Sequence, residues 1–320
     1  MKILAVQNRM GIGDTVIFLP YIKALSKKFS SPISLLVKKS SKADQFLYQT
    51  RYIDKILFLE KNKENNNRLE NFFESMNLIN NIKKYNFDKI FIFNSSLRFN
   101  LIAKFSRIPE IYQYPLFHKN KQHITNTPKK FIKEKLNLEV KDDPEIQITG
   151  ESINSAIKKF QIKKSQRNIL LGIGGSGPTK RIPANIFIEV IENLSKLYNC
   201  RFFLATGKNS DEQIILNEIL QSKFKNLCQP LDNLSIKDSL PIISSCDLSI
   251  CNDSSFSHLS AALGIKTITL MADTPLIYGS YSSKMYPIIP DGEETVTHDS
   301  LGKERINPKK ILSKINEIIN

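Results

Sequence analysis

The stretch KILAVQNRMGIGDTVIFLPYIKAL, residues 2–25, consists of a short apolar run, a glycine turn and a long apolar segment. Its first six residues have the pattern of a buried strand, and the residues after the glycines have that of a helix. A nucleotide-binding βαβ unit begins in this way, but its fingerprint needs a third glycine where this chain has Val16. The stretch therefore predicts a Rossmann-like unit that binds phosphate elsewhere.

Asp14 stands at the head of this predicted helix. Its negative charge occupies the helix N-terminus, which would otherwise attract a phosphate through its free N–H groups and partial positive charge. Aspartate is also a favoured N-cap residue, so the spacing leaves two alternatives, a structural cap and a functional carboxylate.

Similar apolar runs, separated by helical stretches, recur along both halves of the chain. They occupy residues 32–38, 55–60 and 88–95 in the first half, and 168–173, 201–206, 247–251 and 266–271 in the second. The Asn-rich residues 62–72 predict a loop that runs into a helix. The predicted fold class is therefore α/β, with two tandem Rossmann-like, doubly wound domains, residues 1–150 and 151–320, facing a central ligand-binding cleft.

The length and composition of the chain agree with two domains and indicate the cellular compartment. The chain has 320 residues, 41% of them hydrophobic, which is enough for two cores. We find no signal peptide and no apolar run as long as the roughly 18 residues of a transmembrane helix, so we expect a cytoplasmic protein. Four scattered cysteines without a CxxC motif predict buried small residues rather than a disulfide framework or a zinc site.

The formal net charge of +15 is concentrated in the first half of the chain. Residues 1–150 contain 26 Lys and Arg against 14 Asp and Glu, and residues 119–135 alone contain six lysines against one glutamate. Such a segment suits peripheral contact with an anionic surface, either an inner membrane leaflet or a phosphorylated glycolipid. The alternative is a solvated lysine face that reflects compositional bias.

The first polar constellation of the second half is GIGGSGPTKRIP, residues 172–183. Its glycines let backbone N–H groups approach an anion closely, Ser176 offers a hydroxyl, and Lys180 and Arg181 add positive charge. This pattern predicts a diphosphate-binding loop, although it lacks the Gly-Lys-Ser/Thr ending of a P-loop. The alternative is a glycine-rich surface turn.

The second constellation is CNDSSFSHLSAALG, residues 251–264, in which a strand leads into a helix N-terminus. Asp253 can accept hydrogen bonds from sugar hydroxyls, and Ser254 and Ser255 can hold a phosphate at the helix start. The alternatives are that Asp253 or Ser254 only caps the helix and that His258 is an interior histidine whose hydrogen bonds are satisfied.

A third, weaker constellation, residues 201–216, places Thr206 and Gly207 at a strand end and Asp211 and Glu212 in the next helical turn. An acid there can bind a nucleotide ribose, although acids also complement the helix dipole. We select Asp211 as the candidate.

Three motifs together give a resemblance that covers nearly the whole chain. GIGDTVIFLP is similar to the N-terminal Gly-Asp helix of the bacterial lipopolysaccharide heptosyltransferases, glycosyltransferase family 9. GSGPTKRIP is similar to the Lys-containing loop of that family, and NDSSFSHLSAALG to its Asp-x-Gly-x-x-His-x-x-Ala-Ala helix. The resemblance implies a GT-B fold and transfer of heptose from ADP-heptose to a glycolipid acceptor, with no metal and no cofactor.

The same resemblance implies roles for individual residues. Asp14 would be the catalytic base, Ser176 and Lys180 diphosphate ligands, and Asp253 a donor-sugar ligand. The residues at the start of the phosphate-facing helix would be Ser254, Ser255 and His258. Inverting transfer needs such a carboxylate to take the proton of the attacking hydroxyl, and it needs positive charge where the diphosphate leaves.

Two other classes of function fit parts of the pattern. A sugar-nucleotide epimerase can share a two-Rossmann architecture, but it acts on the nucleotide sugar alone. A nucleic-acid-binding protein would explain the basic charge, but we find no recognition motif and few interleaved aromatic residues. We therefore expect a nucleotide-sugar donor and an anionic glycolipid as partners, and no nucleic acid.

Overall fold

The computed structural model describes residues 1–59, 68–116, 122–141 and 143–319. The predicted loop at residues 62–72 lies mostly outside the described residues, as do the first residues of the basic segment 119–135. The chain divides into two compact units, Met1–Pro144 and Glu145–Asn320. This division falls a few residues before the predicted boundary at residue 150.

The first unit is built around a parallel sheet of five strands in the order β3-β2-β1-β4-β5. Its described elements are β1 (Ile3–Val6), α1 (Ile12–Phe29), β2 (Ile33–Lys38), α2 (Ala43–Phe46), β3 (Ile53–Leu59), α3 (Arg68–Lys83), β4 (Lys89–Ile92), α4 (Leu97–Phe105), β5 (Glu110–Gln113) and α5 (Asn126–Leu136). The chain reverses its direction across the sheet between the adjacent strands β1 and β4.

The second unit contains a parallel sheet of six strands in the order β11-β10-β9-β6-β7-β8. Its described elements are α6 (Gly150–Phe160), β6 (Arg167–Gly172), α7 (Ala184–Leu197), β7 (Cys200–Ala205), α8 (Ser210–Gln221), β8 (Cys228–Pro230), α9 (Ile236–Ile243), β9 (Leu248–Asn252), α10 (Ser255–Ala262), β10 (Thr267–Leu270), β11 (Met285–Ile288) and α11 (Pro308–Ile319). Here the reversal lies between β6 and β9.

Helices cover both faces of the sheets, which explains why the central strands are continuous apolar runs. All four residues of β1 are buried, as are the first five of β2. Each such Leu, Ile or Val side chain contributes roughly 1.5–3 kcal/mol by leaving water. The predicted α/β class with two doubly wound parallel sheets is confirmed.

Three strands were not predicted from the sequence, namely β5, β8 and β11, and each is a short edge strand. Pro230 ends β8 and Pro287 lies within β11. Proline weakens a strand pattern because it donates no hydrogen bond to a sheet, and an edge strand is where a sheet tolerates it.

All four cysteines are free thiols; Cys200, Cys246 and Cys251 are buried, as predicted, whereas Cys228 is partly exposed. Burial raises the pKa of Cys200 and Cys228 to about 11 and that of Cys251 to about 12, so these thiols stay protonated and unreactive at neutral pH. In the described part of the chain, none of the helices combines the length and the apolar character that a membrane crossing requires.

Candidate functional site

The candidate site of the second unit lies at the carboxyl ends of β6 and β9, where the chain reverses its direction across the sheet. Loops leave two such strands in opposite directions, and the gap between them is where open α/β sheets bind ligands. Asn252 joins the two loops here, because its side-chain amide donates to the carbonyl oxygens of Ile173 and Gly174, at 2.8 and 3.3 Å. The loop after β6 and the loop after β9 therefore form one site.

Lys180 and Asp253 form the central ion pair of this site. Lys180 ends a single 3-10 turn after the glycine loop, and its Nζ donates to Oδ2 of Asp253 at 2.8 Å. The Asp253 side chain is 4% exposed and that of Lys180 is 23% exposed. Burial opposes ionisation of Asp253, but its electrostatic interactions with His258 and Lys180 outweigh burial and hold the pKa of this carboxyl below its usual value.

His258 lies beside the pair, on α10. Its Nε2 is 3.8 Å from Oδ1 of Asp253, and its Nδ1 is hydrogen-bonded to the Tyr281 hydroxyl at 2.9 Å. Burial lowers the pKa of His258, even though Asp253 opposes this shift, so the ring is neutral at pH 7. The geometry fits the interior-histidine alternative and also brings the ring to the candidate donor site.

Glu212 is the site residue that the sequence interpretation passed over in favour of Asp211. Its carboxylate is buried, accepts the Gly175 N–H at 2.8 Å and also accepts the side-chain amide of Asn209. A Cβ atom at Gly174 or Gly207 would overlap this carboxylate, so a side chain at either position would force the carboxylate to move. Glu212 thus anchors the glycine loop to the first turn of α8.

Asp211 pairs with Arg181, whose Nη1 donates to Oδ2 of Asp211 at 2.6 Å. The Asp211 side chain is 64% exposed. Arg181 also donates from Nε to the Gly175 carbonyl at 2.9 Å, so it holds the glycine loop from the other side. Both cations of the loop are therefore paired with carboxylates of the protein, which the sequence did not predict.

Hydroxyl and amide groups complete the candidate site at the carboxyl edge of the second sheet. Among the described residues, Thr206 Oγ1, Asn252 Oδ1 and Ser254 Oγ are buried and have no hydrogen-bond partner within the protein. Buried polar groups are usually paired, so groups like these invite a polar ligand. Ser254 is the N-cap of α10 but makes no side-chain cap bond, and Ser255 is the first residue of that helix. Ser176 is exposed at the tip of the glycine loop.

In the first unit, Asp14 lies at the carboxyl edge of the sheet, in the first turn of α1. The N-cap is Gly11, with φ +102°, and Asp14 is the third residue of the helix. The N-cap alternative for Asp14 is therefore wrong. A left-handed φ at the cap favours glycine, and the cap makes no side-chain hydrogen bond to the helix. Asp14 instead complements the helix dipole from inside the first turn.

The described part of the basic segment 119–135 forms α5 and the turn before it. Its lysines are exposed, whereas Phe131 and Ile132 are buried against the unit. This arrangement fits an anionic partner and a solvated lysine face equally. Among the described residues, no group of three or more His, Cys, Asp or Glu side chains could hold a metal ion.

Known proteins resemble this chain in sequence and in fold. The model of glycosyltransferase family 9 (heptosyltransferase) matches residues 106–294. The lipooligosaccharide heptosyltransferase 2 of Campylobacter jejuni is 28% identical over 278 residues, which cover 82% of this chain and 78% of that protein.

Two solved structures share the fold over nearly the full length of both chains. The ADP-heptose lps heptosyltransferase II of E. coli has a TM-score of 0.74 at 17% identity and covers 99% of this chain and 98% of its own. The E. coli heptosyltransferase WaaC with ADP-2-deoxy-2-fluoro heptose has a TM-score of 0.67 at 13% identity, with 99% coverage of each chain.

The family match decides between the two enzyme classes that the sequence left open, because it favours a transferase over an epimerase. Since the match extends over more than half of its length, the chain belongs to glycosyltransferase family 9, the heptosyltransferases.

Proposed function

We propose that this protein transfers heptose from ADP-heptose to a lipopolysaccharide-type glycolipid, with inversion at the anomeric carbon and without a metal. The observation that carries the proposal is the buried Lys180–Asp253 pair at the strand reversal of the second sheet. The names of the relatives support the sugar, and the sugar nucleotide in the WaaC structure supports the donor.

Charge and hydrogen bonding in the second unit suit a sugar nucleotide better than a free phosphate. Lys180 and Arg181 are opposed by Asp253, Asp211 and Glu212, so the site has no excess of positive charge. We infer that Lys180 forms its ion pair with Asp253 in the resting enzyme. When the donor binds, the same ammonium group also donates hydrogen bonds to the diphosphate. Asp253 then faces the donor sugar, whose hydroxyls can donate to it.

The unpartnered Oγ atoms of Thr206 and Ser254 would take up hydrogen bonds with the donor, and Ser255 and Ser176 would contact its phosphates. Gly207 and Asp211 remain part of the proposed donor site, Asp211 through Arg181 and the glycine loop. As the leaving diphosphate gains charge, Lys180 stabilises it; one preorganised donor of this kind contributes about 3 kcal/mol to transition-state stability.

The first unit would bind the acceptor and supply the base. Asp14 has a carboxylate at the edge of a rigid sheet, where it can accept the proton of the attacking hydroxyl. In this proposal, Asp14 acts on the acceptor hydroxyl and Lys180 on the leaving diphosphate, the two roles that inverting transfer requires.

A panel of nucleotides and sugar nucleotides tested by thermal shift examines the donor assignment. A ligand at about 100 times its dissociation constant adds roughly 2.7 kcal/mol of stability. We expect stabilisation by ADP and ADP-heptose, unchanged by EDTA, and conversion of the donor only when a glycolipid acceptor is present. Stabilisation by UDP-sugars alone would contradict the donor, and turnover without acceptor would indicate an epimerase.

A further inference from the structure

Large apolar side chains are exposed along one side of α3 and α4 in the first unit. On α4 they recur every four residues, so they lie on one face of the helix, and on α3 Met76 is four residues from Phe72 and three from Phe73. The exposed fractions lie between 40% and 63%. We call this surface the α3–α4 apolar face; its members are Phe72, Phe73, Met76, Leu97, Leu101 and Phe105.

The two helices that carry these residues are joined side by side. Arg98 donates from Nε to the Ser75 hydroxyl at 3.0 Å, and its Nη2 lies 3.6 Å from the Glu74 carboxylate. Other residues of α4, Phe99 and Ile102 among them, pack into the core, so the helix carries apolar side chains both towards the core and towards the outside. The exposed apolar side chains of such a helix offer a surface that a partner can cover.

The charges around this face indicate what covers it. Exposed basic residues stand at the C-terminal ends of both helices, namely Lys83, Lys84, Lys104 and Arg107. Two nearby acidic residues form ion pairs within the protein, Glu74 with Arg98 and Glu110 with Lys89. The whole first half carries a net charge of +12, from 26 basic and 14 acidic residues. Exposed apolar side chains with lysine and arginine at one end match the interface of a bilayer that contains anionic lipids.

We propose that the α3–α4 apolar face docks on the surface of an anionic phospholipid bilayer. This inference rests on the proposed function, which gives the enzyme a lipid-anchored acceptor. α4 begins just after residues 94–96, which follow β4 at the carboxyl edge of the first sheet, and β4 is the neighbour of β1, the strand that leads to Asp14. The first residue of the face on α4, Leu97, therefore lies towards the edge of the sheet that carries Asp14. The segment 119–135 offers charge alone, because its apolar residues are buried.

Flotation with vesicles tests the proposal without any substrate. Vesicles of phosphatidylcholine alone are compared with vesicles that also contain phosphatidylglycerol. We expect the full-length protein to float with the anionic vesicles and the triple variant Leu97→Ser/Leu101→Ser/Phe105→Ser to lose about 100-fold or more in partition coefficient. Lys104→Gln/Arg107→Gln is expected to lose roughly 25-fold at low salt, at about 5-fold for each charge.

The matched control is Leu197→Ser/Ile214→Ser, which removes two exposed apolar side chains, 65% and 56% exposed, from the second unit. This control is expected to bind vesicles like the wild type. Thermal stabilisation by ADP monitors whether each variant keeps its fold and its donor site.

Unchanged flotation of the triple variant would overturn the proposal. A dimeric wild type and a monomeric triple variant that bind vesicles equally would also overturn it, because the face would then be an interface between two copies of the chain. Vesicle binding that depends on this face, in a protein that transfers no sugar, would support docking and reject the proposed function. Transfer to a detergent-solubilised acceptor without vesicle binding would do the reverse.

Discussion

Replacing Lys180 with alanine tests the buried ion pair of the second unit. The substitution leaves the Asp253 carboxylate, which is 4% exposed, without the ammonium that lies 2.8 Å away. Removing one partner of a buried pair costs 3–5 kcal/mol, and because the Lys180 side chain is 23% exposed we take the lower end, about 3 kcal/mol. For a unit of this size, that corresponds to a fall in Tm of about 6–12 °C.

The destabilisation by Lys180→Ala should depend on pH. In the variant, burial still raises the pKa of Asp253, while one of the charges that lowered it is gone. The loss is therefore largest at neutral pH and shrinks as the pH falls towards the raised pKa, where the carboxyl takes up a proton.

A double-mutant cycle with Asp253→Asn separates stability from donor binding. The double variant Lys180→Ala/Asp253→Asn has no stranded charge, so it should recover about 2 kcal/mol relative to Lys180→Ala, as measured by urea denaturation. Its affinity for ADP, measured by calorimetry, should stay low because the ammonium is still missing. Lys223→Ala is the control, since it removes a cation from an exposed pair with Glu192. A Tm for Lys180→Ala equal to that of the control would refute the reasoning.

Three further changes test other parts of the site. Asp14→Asn should lose at least about 100-fold in transfer rate with acceptor present, at a stability cost of only about 0.3–1 kcal/mol, because Asp14 complements the helix dipole but does not cap α1. Gly174→Ala should destabilise by about 1–3 kcal/mol in denaturation experiments, since its Cβ would overlap Glu212, whereas the control Gly150→Ala, with open space around it, should not. His258→Gln should reduce the fall in Tm on acidification. Burial lowers the pKa of His258 below its usual 6.5, so the unfolded chain takes up a proton there before the folded protein does, and stability is lost as the pH falls below 6.5. An equal fall in Tm in the variant and the wild type would contradict this expectation.

The sequence predicted the elements that are long or strongly apolar, and it predicted the loops that follow them. Lys180 and Asp253 were both selected as site residues from their positions after two strands. Their pairing was not predicted, because it depends on which strands are neighbours across 73 residues of sequence. The sequence of the glycine loop indicated a need for an external anion to pair with Lys180 and Arg181. In the structure, carboxylates of the protein pair with both cations.

The choice between Asp211 and Glu212 shows where such reasoning ends. Both acids lie in the first turn of α8, and only the rotation of the helix decides that Glu212 faces the glycine loop. One local signal favours Glu212: it stands three residues after the N-cap Asn209, the spacing of a capping box, in which the side chain turns back towards the helix start. Asp14 likewise stands three residues after its N-cap, Gly11, so it lies inside the first turn of α1 and is not itself the cap.

The most direct test of the account is the anomeric configuration of the transferred sugar, determined by NMR in the wild type and in Asp14→Asn. We predict that the wild type transfers heptose from ADP-heptose to a truncated lipopolysaccharide acceptor with inverted configuration and that Asp14→Asn, folded and still stabilised by ADP, does so at least about 100-fold more slowly. Retained configuration, or a near-normal rate in Asp14→Asn, would contradict the assignment of Asp14 as the base of an inverting heptosyltransferase.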